Sequence, residues 1–173
     1  MARGVPPEFQ PKPILRTLLE HDVDFVLIGG LAGILYGSSY PSYDVDIAYG
    51  RDPENLKRLA AALRELGATL RGAPKNLPFK LDARTLKNGS HFTFDTRYGS
   101  IDILSDPDGA PPYEKLKRRA GRPQEFEGER IRVASLDHLI AMKDASARTK
   151  DQLMATEYRV LADEARKARK RKR

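Results

Sequence analysis

The chain of 173 residues is long enough to bury one hydrophobic core and needs no second domain. It contains no cysteine, which excludes disulfide frameworks, thiolate metal sites and thiol redox chemistry, and makes a reducing cytoplasm the expected setting. Its formal net charge is +7, yet residues 166–173, RKARKRKR, carry seven basic side chains and no acidic one, so the rest of the chain is formally neutral.

The first segment, MARGVPPEFQPKP, is followed by an amphipathic stretch, and no run approaches the ~18 apolar residues of a membrane span, so a soluble, untargeted chain is expected. In PILRTLLEHDV the residues Ile14, Leu15, Leu18 and Leu19 form the stripe of a short helix. DFVLIGG then reads as a buried strand that ends at a glycine turn, LAGILYGSS as a short helix against the sheet, and YDVDIAYG as the next strand. DPENLKRLAAALRELGA is the clearest helix: Asp52 can cap it, Pro53 suits its first turn, and Gly67 ends it. A loop with Pro74 and Pro78 follows, then the strands SHFTFDT and GSIDILSD with a turn at Tyr98 and Gly99. PYEKLKRRAG suggests a short basic helix, QEFEGERIRVAS a hairpin around Gly128, and two helices close the chain, SLDHLIAMKDASA and KDQLMATEYRVLADEARKARK.

Chemistry concentrates in IGGLAGILYGSSYPSYDVDIAY. Alternate strand residues share a face, so Asp44 and Asp46 stand side by side while Val45 and Ile47 point into the core. Two adjacent carboxylates in an apolar strand repel each other unless a cation separates them. Mg²⁺ suits the position, because it takes oxygen ligands and is usually held by one or two carboxylates plus substrate phosphates. Asp102, between Ile101 and Ile103, is a third carboxylate that joins the pair if the two strands are neighbours. Three carboxylates allow two ions, Mg²⁺ or alternatively Mn²⁺, and thereby an in-line displacement at phosphorus. Gly29 and Gly30 let backbone N–H groups approach a phosphate at a helix start, and Ser42 adds a hydroxyl. GGLAGILYG is not a dinucleotide-binding G-x-G-x-x-G, and neither a P-loop nor H-E-x-x-H occurs. Asp22 and Asp24 repeat the D-x-D spacing but belong to a helix–strand loop, and His21, His91 and His138 lack ligand spacing. The basic run KLKRRAGR, residues 115–122, and the basic tail are each either a contact for an RNA backbone or a solvated surface.

A glycine pair followed by S-x-D-x-D-I, with a later carboxylate in G-x-I-D-I-L, resembles the polymerase-beta-like nucleotidyltransferases. SLDHLIAMKDASARTKDQ resembles the helix pair of the small prokaryotic members associated with abortive infection and toxin–antitoxin systems. The resemblance spans roughly residues 14–160 and implies an α/β (α+β) nucleotidyltransferase fold, a mixed β-sheet flanked by helices with a helical C-terminal part. It divides the chain into an N-terminal extension at 1–13, a core at 14–134, C-terminal helices at 135–165 and a basic tail at 166–173. It implies that Asp44, Asp46 and Asp102 bind metal, that Lys143 meets the triphosphate of an NTP, and that Arg148 and Asp151 line the same pocket. At Tyr40 the chain departs from the family pattern, in which an arginine commonly precedes the small hydroxyl residue. The activity implied is transfer of NMP to an acceptor hydroxyl with pyrophosphate release, by a toxin that modifies tRNA and has a cognate antitoxin protein as partner. The alternatives are transfer to a protein or to a small molecule such as an aminoglycoside, and a non-catalytic fold that binds nucleotide or RNA.

Overall fold

The computed structural model describes residues 5–173, so the first four residues of the expected N-terminal extension lie outside it. Its elements follow in the order α1 (Pro11–Glu20), β1 (Phe25–Ile28), α2 (Gly29–Leu35), β2 (Asp44–Tyr49), α3 (Pro53–Glu65), β3 (Thr69–Leu70) and α4 (Ala83–Asn88). The second half contains β4 (His91–Thr96), β5 (Gly99–Leu104), α5 (Tyr113–Ala120), β6 (Gln124–Phe126), β7 (Glu129–Ile131), α6 (Leu136–Asp144) and α7 (Thr149–Arg171).

Five strands form one mixed sheet in the order β1-β2-β5-β4-β3, in which β2 and β5 run parallel and the other pairs antiparallel. The parallel pair requires a long crossover, which the chain supplies as α3, β3, α4 and the β4–β5 hairpin. Asp52 caps α3 by accepting the Asn55 N–H at 3.0 Å, and Leu56, Leu59, Ala60 and Leu63 bury its inner face. Val45, Ile47, Ile101 and Ile103 are fully buried, whereas Asp44, Asp46 and Asp102 between them are half-buried, which is the alternation of strands with one covered face. α2 packs on β1 and β2, α6 packs on α2, and α7 packs on α6.

One segment departs from the expected elements. The segment expected as a loop between Gly67 and Ser90 contains the edge strand β3 and the helix α4, whose cap Asp82 accepts the Thr85 N–H at 2.8 Å. The last helix runs one residue past the expected Lys170, so the basic residues 166–171 are its final turns. That helix is anchored by buried Met154, Ala155, Tyr158 and Ala162, and cations at its C-terminal end complement the helix dipole. Asp24 lies in the α1–β1 loop, as expected, and there accepts from Lys117 Nζ at 2.9 Å and Tyr113 Oη at 2.9 Å, which ties α5 to the start of β1. Among the described residues no helix is long and apolar enough to cross a membrane.

Candidate active site

The parallel register of β2 and β5 sets Asp46 directly opposite Asp102, and Asp44 lies two residues along the same face. One carboxylate oxygen from each of the three lies within 4.8 Å of the others. On its other side Asp46 pairs with Ile28, the last residue of β1, and the chain turns there into α2. Gly29 makes that turn with φ +73°, and a side chain at this position would meet Asp46, with Cγ only 2.7 Å from the added Cβ. The first glycine therefore leaves room for a carboxylate as well as permitting the left-handed turn. Gly30 packs less tightly on Ser42, 3.2 Å from a Cβ added there, and the Ser42 hydroxyl donates to the Asp44 carbonyl at 3.1 Å.

Burial raises Asp44 above the ordinary carboxylate range, and the Asp102 charge raises it further. Asp46 is raised well above that range, first by burial and then by the charges of Asp44 and Asp102. Asp102 Oδ1 is buried without a hydrogen-bond partner; the Arg71 guanidinium stands 3.7 Å away, beyond hydrogen-bonding reach. Crowded carboxylates with an orphaned oxygen fit a divalent cation, which would satisfy the oxygen and relieve the repulsion.

The facing wall comes from α6 and α7. Asp151, only 4% exposed, accepts from Lys143 Nζ at 2.8 Å, Ser146 Oγ at 2.6 Å and Arg148 Nε at 2.8 Å. Burial alone would raise Asp151, but the hydrogen bonds from Lys143 and Ser146 and the charges of Lys143 and Arg148 outweigh it and bring its pKa to about 2. Asp151 is thus an anchor that stays ionised and holds two cations at the cleft.

The two walls enclose a cleft of about 690 Å³ whose lining includes Gly29, Gly30, Ser42, Asp44, Asp46, Asp102, Lys143, Arg148 and Asp151. All nine residues singled out in the sequence therefore converge. Sequence reasoning missed Arg71, which reaches the acidic cluster from the turn after the edge strand, and Ser146, the third partner of Asp151. Ser146 stands three residues after Lys143, a spacing that alone suggests nothing; Arg71 lies in a segment read as loop. His91, expected to be structural or exposed, is an exposed residue at the rim of the cleft. Tyr40 packs partly buried against the core.

The family described as "Nucleotidyl transferase AbiEii toxin, Type IV TA system" matches residues 14–155. No curated protein sequence matches the chain. Among solved structures, the lincomycin-bound lincosamide antibiotic adenylyltransferase LnuA superposes with a TM-score of 0.58 at 17% identity, over 89% of this chain and 99% of that one. The solution structure of the antibiotic-resistance factor ANT(2'')-Ia gives a TM-score of 0.53 at 17% identity, over 91% of each chain. At such identities the likeness shows a shared fold.

Proposed function

The chain belongs to the AbiEii nucleotidyltransferase toxin family, and from that premise we propose that its acidic cleft transfers a nucleoside monophosphate from an NTP to a hydroxyl of tRNA, releasing pyrophosphate. The observation that carries this reading is the convergence of Asp44, Asp46 and Asp102 opposite Lys143 and Arg148 in one cleft. Asp44, Asp46 and Asp102 would hold Mg²⁺, or alternatively Mn²⁺, as two ions. When bound, the metal supplies charge neutralisation on the triphosphate and a more acidic acceptor hydroxyl.

The remaining work falls to the chain itself. Lys143 and Arg148, fixed by Asp151, offer positive charge to the triphosphate. Gly29 and Gly30 line the cleft at the turn, where their backbone would meet a phosphate. Asp102, whose Oδ1 has no internal partner, would take up the acceptor proton. The acceptor oxygen then bonds to the α-phosphorus, the bond from that phosphorus to the bridging oxygen breaks, and pyrophosphate leaves. In this reading the enzyme acts in the cytoplasm and is paired with a protein antitoxin.

The test is a labelling assay with each of four α-labelled NTPs, total tRNA, cell protein and Mg²⁺, beside Asp44→Ala. Label on tRNA that is lost in Asp44→Ala while the fold persists is the expected result, and it names the base. Full activity in Asp44→Ala overturns the site assignment. Label on protein alone, or on an added aminoglycoside or lincosamide, overturns the tRNA acceptor and retains the chemistry; NTP binding without pyrophosphate release would leave a binding-only fold.

A further inference from the structure

A second cavity of about 680 Å³ lies between α5, α6 and the C-terminal turns of α7. Lys115, Arg119, Arg122, Arg166 and Arg169 line it, against a single carboxylate, Asp137. Two basic stretches more than forty residues apart in sequence, KLKRRAGR and RKARKRKR, thus converge on one groove. Arg166 is paired with Asp163 at 2.9 Å and reaches Asp137 at 3.5 Å, but among the described residues Lys115, Arg119, Arg122 and Arg169 form no ion pair. Lys117, by contrast, is committed to Asp24. His138 Nδ1 is buried without a hydrogen-bond partner, and its ring lines the same groove. Four unpaired cations and an unsatisfied ring nitrogen in one concavity are what a polyanion would complete.

The groove is joined to the acidic cleft by the same helices. α6 contributes His138 to the groove and Lys143 to the cleft, about 7.5 Å apart along its axis, and α7 contributes Ala162 and Met154, about 12 Å apart. These axial offsets are of the order of a few nucleotides of a nucleic-acid strand, which rises ~3.4 Å per nucleotide along a DNA duplex axis. An acceptor strand that sits in the groove and wraps past these helices would bring its end to the cleft. Four of the five cations are arginines, whose planar forks suit bidentate contact with phosphate.

We infer that this groove is a docking site for the RNA phosphate backbone, which holds the acceptor strand in line with the acidic cleft. The inference rests on the RNA-acceptor reading and adds a separate, non-catalytic surface to it. The test is fluorescence anisotropy of a labelled tRNA transcript with the full chain between 50 and 200 mM salt. It compares wild type, Asp44→Ala and the double reversal Arg119→Glu/Arg169→Glu. Wild type and Asp44→Ala should bind alike, and the double variant at least about tenfold more weakly. Its salt dependence should be shallower by about 1.5 log units per log unit of salt, from the ~0.7–0.9 expected per phosphate contact. In the transfer assay the KM for RNA should rise while the KM for NTP stays unchanged. Unaltered affinity and slope in the double variant, or displacement of the RNA by poly-glutamate at matched charge, overturns the proposal, the latter in favour of an acidic protein partner. Arg122→Ala, at an exposed position beside Gly121, removes one cation without touching the core and should reduce the slope by about half as much if the double variant fails to fold. Loss of transfer in Asp44→Ala concerns the cleft alone, so failure of the groove and failure of the cleft give different results.

Discussion

Replacing Gly29 by alanine tests the close approach on which the acidic site depends. The residue sits at φ +73°, where an L side chain costs about 1–2 kcal/mol, and its Cβ would fall 2.7 Å from Asp46 Cγ and 2.8 Å from Asp46 Cβ. Those are the fixed end of a short side chain on a central strand, so relief requires movement of β2 or α2, an overpacking cost of about 1–3 kcal/mol. The sum, about 2–5 kcal/mol, corresponds to a fall in Tm of about 5–15 °C for a chain of this size. Gly128→Ala is the control: its φ is +89° in the β6–β7 hairpin and nothing lies within 4 Å, so only the backbone cost applies, about 2–6 °C. Displacement of Asp46 by even ~1 Å should reduce transfer about 100-fold in Gly29→Ala and leave Gly128→Ala active. Thermal unfolding with pyrophosphate release on both variants decides it. If Gly29→Ala melts with Gly128→Ala and keeps its activity within about threefold, the packing of Asp46 on the turn does not govern the site.

Two further variants probe the supports of the cleft. Asp151 titrates near pH 2 in the folded chain against the usual 3.8, so its stabilisation, about 2 kcal/mol, is present above about pH 4 and lost as pH falls through 2. Asp151→Asn should lower Tm by about 4–8 °C at pH 7, remove the acid-labile component seen by pH-dependent unfolding below pH 4, and raise the KM for NTP because Lys143 and Arg148 lose their anchor. An unchanged KM would refute the anchoring role. Asn55, fully buried, accepts the Asp24 N–H at 2.7 Å and donates to the carbonyls of Asp24 at 3.0 Å and Gly50 at 2.7 Å. Asn55→Ala strands those groups and should cost about 2–4 kcal/mol in denaturant unfolding while transfer at low temperature persists, because none of them lines the cleft.

Much of the acidic site was legible because it is local. A strand's alternation makes Asp44 and Asp46 neighbours wherever that strand goes, and the apolar residues around them show that the strand is buried on its other face. The glycine pair was readable as a turn, but its closeness to Asp46 was not, since that depends on the pairing of Ile28 with Asp46 across two strands. The helix α4 and strand β3 escaped notice because six- and two-residue elements carry too little periodicity to stand out from a proline-containing stretch.

By itself, the sequence determined which faces of strands and helices carry charge, since those periodicities are properties of a few consecutive residues. The tertiary structure alone decided that Asp102 faces Asp46, that Asp151 gathers Lys143, Ser146 and Arg148, and that Arg71 approaches the acidic cluster. It also decided that the two basic stretches share one groove. Each of these depends on strand register or helix packing between residues brought together by the core, and a one-residue slip of β5 against β2 would turn Asp102 to the opposite face and take the third carboxylate away from the site.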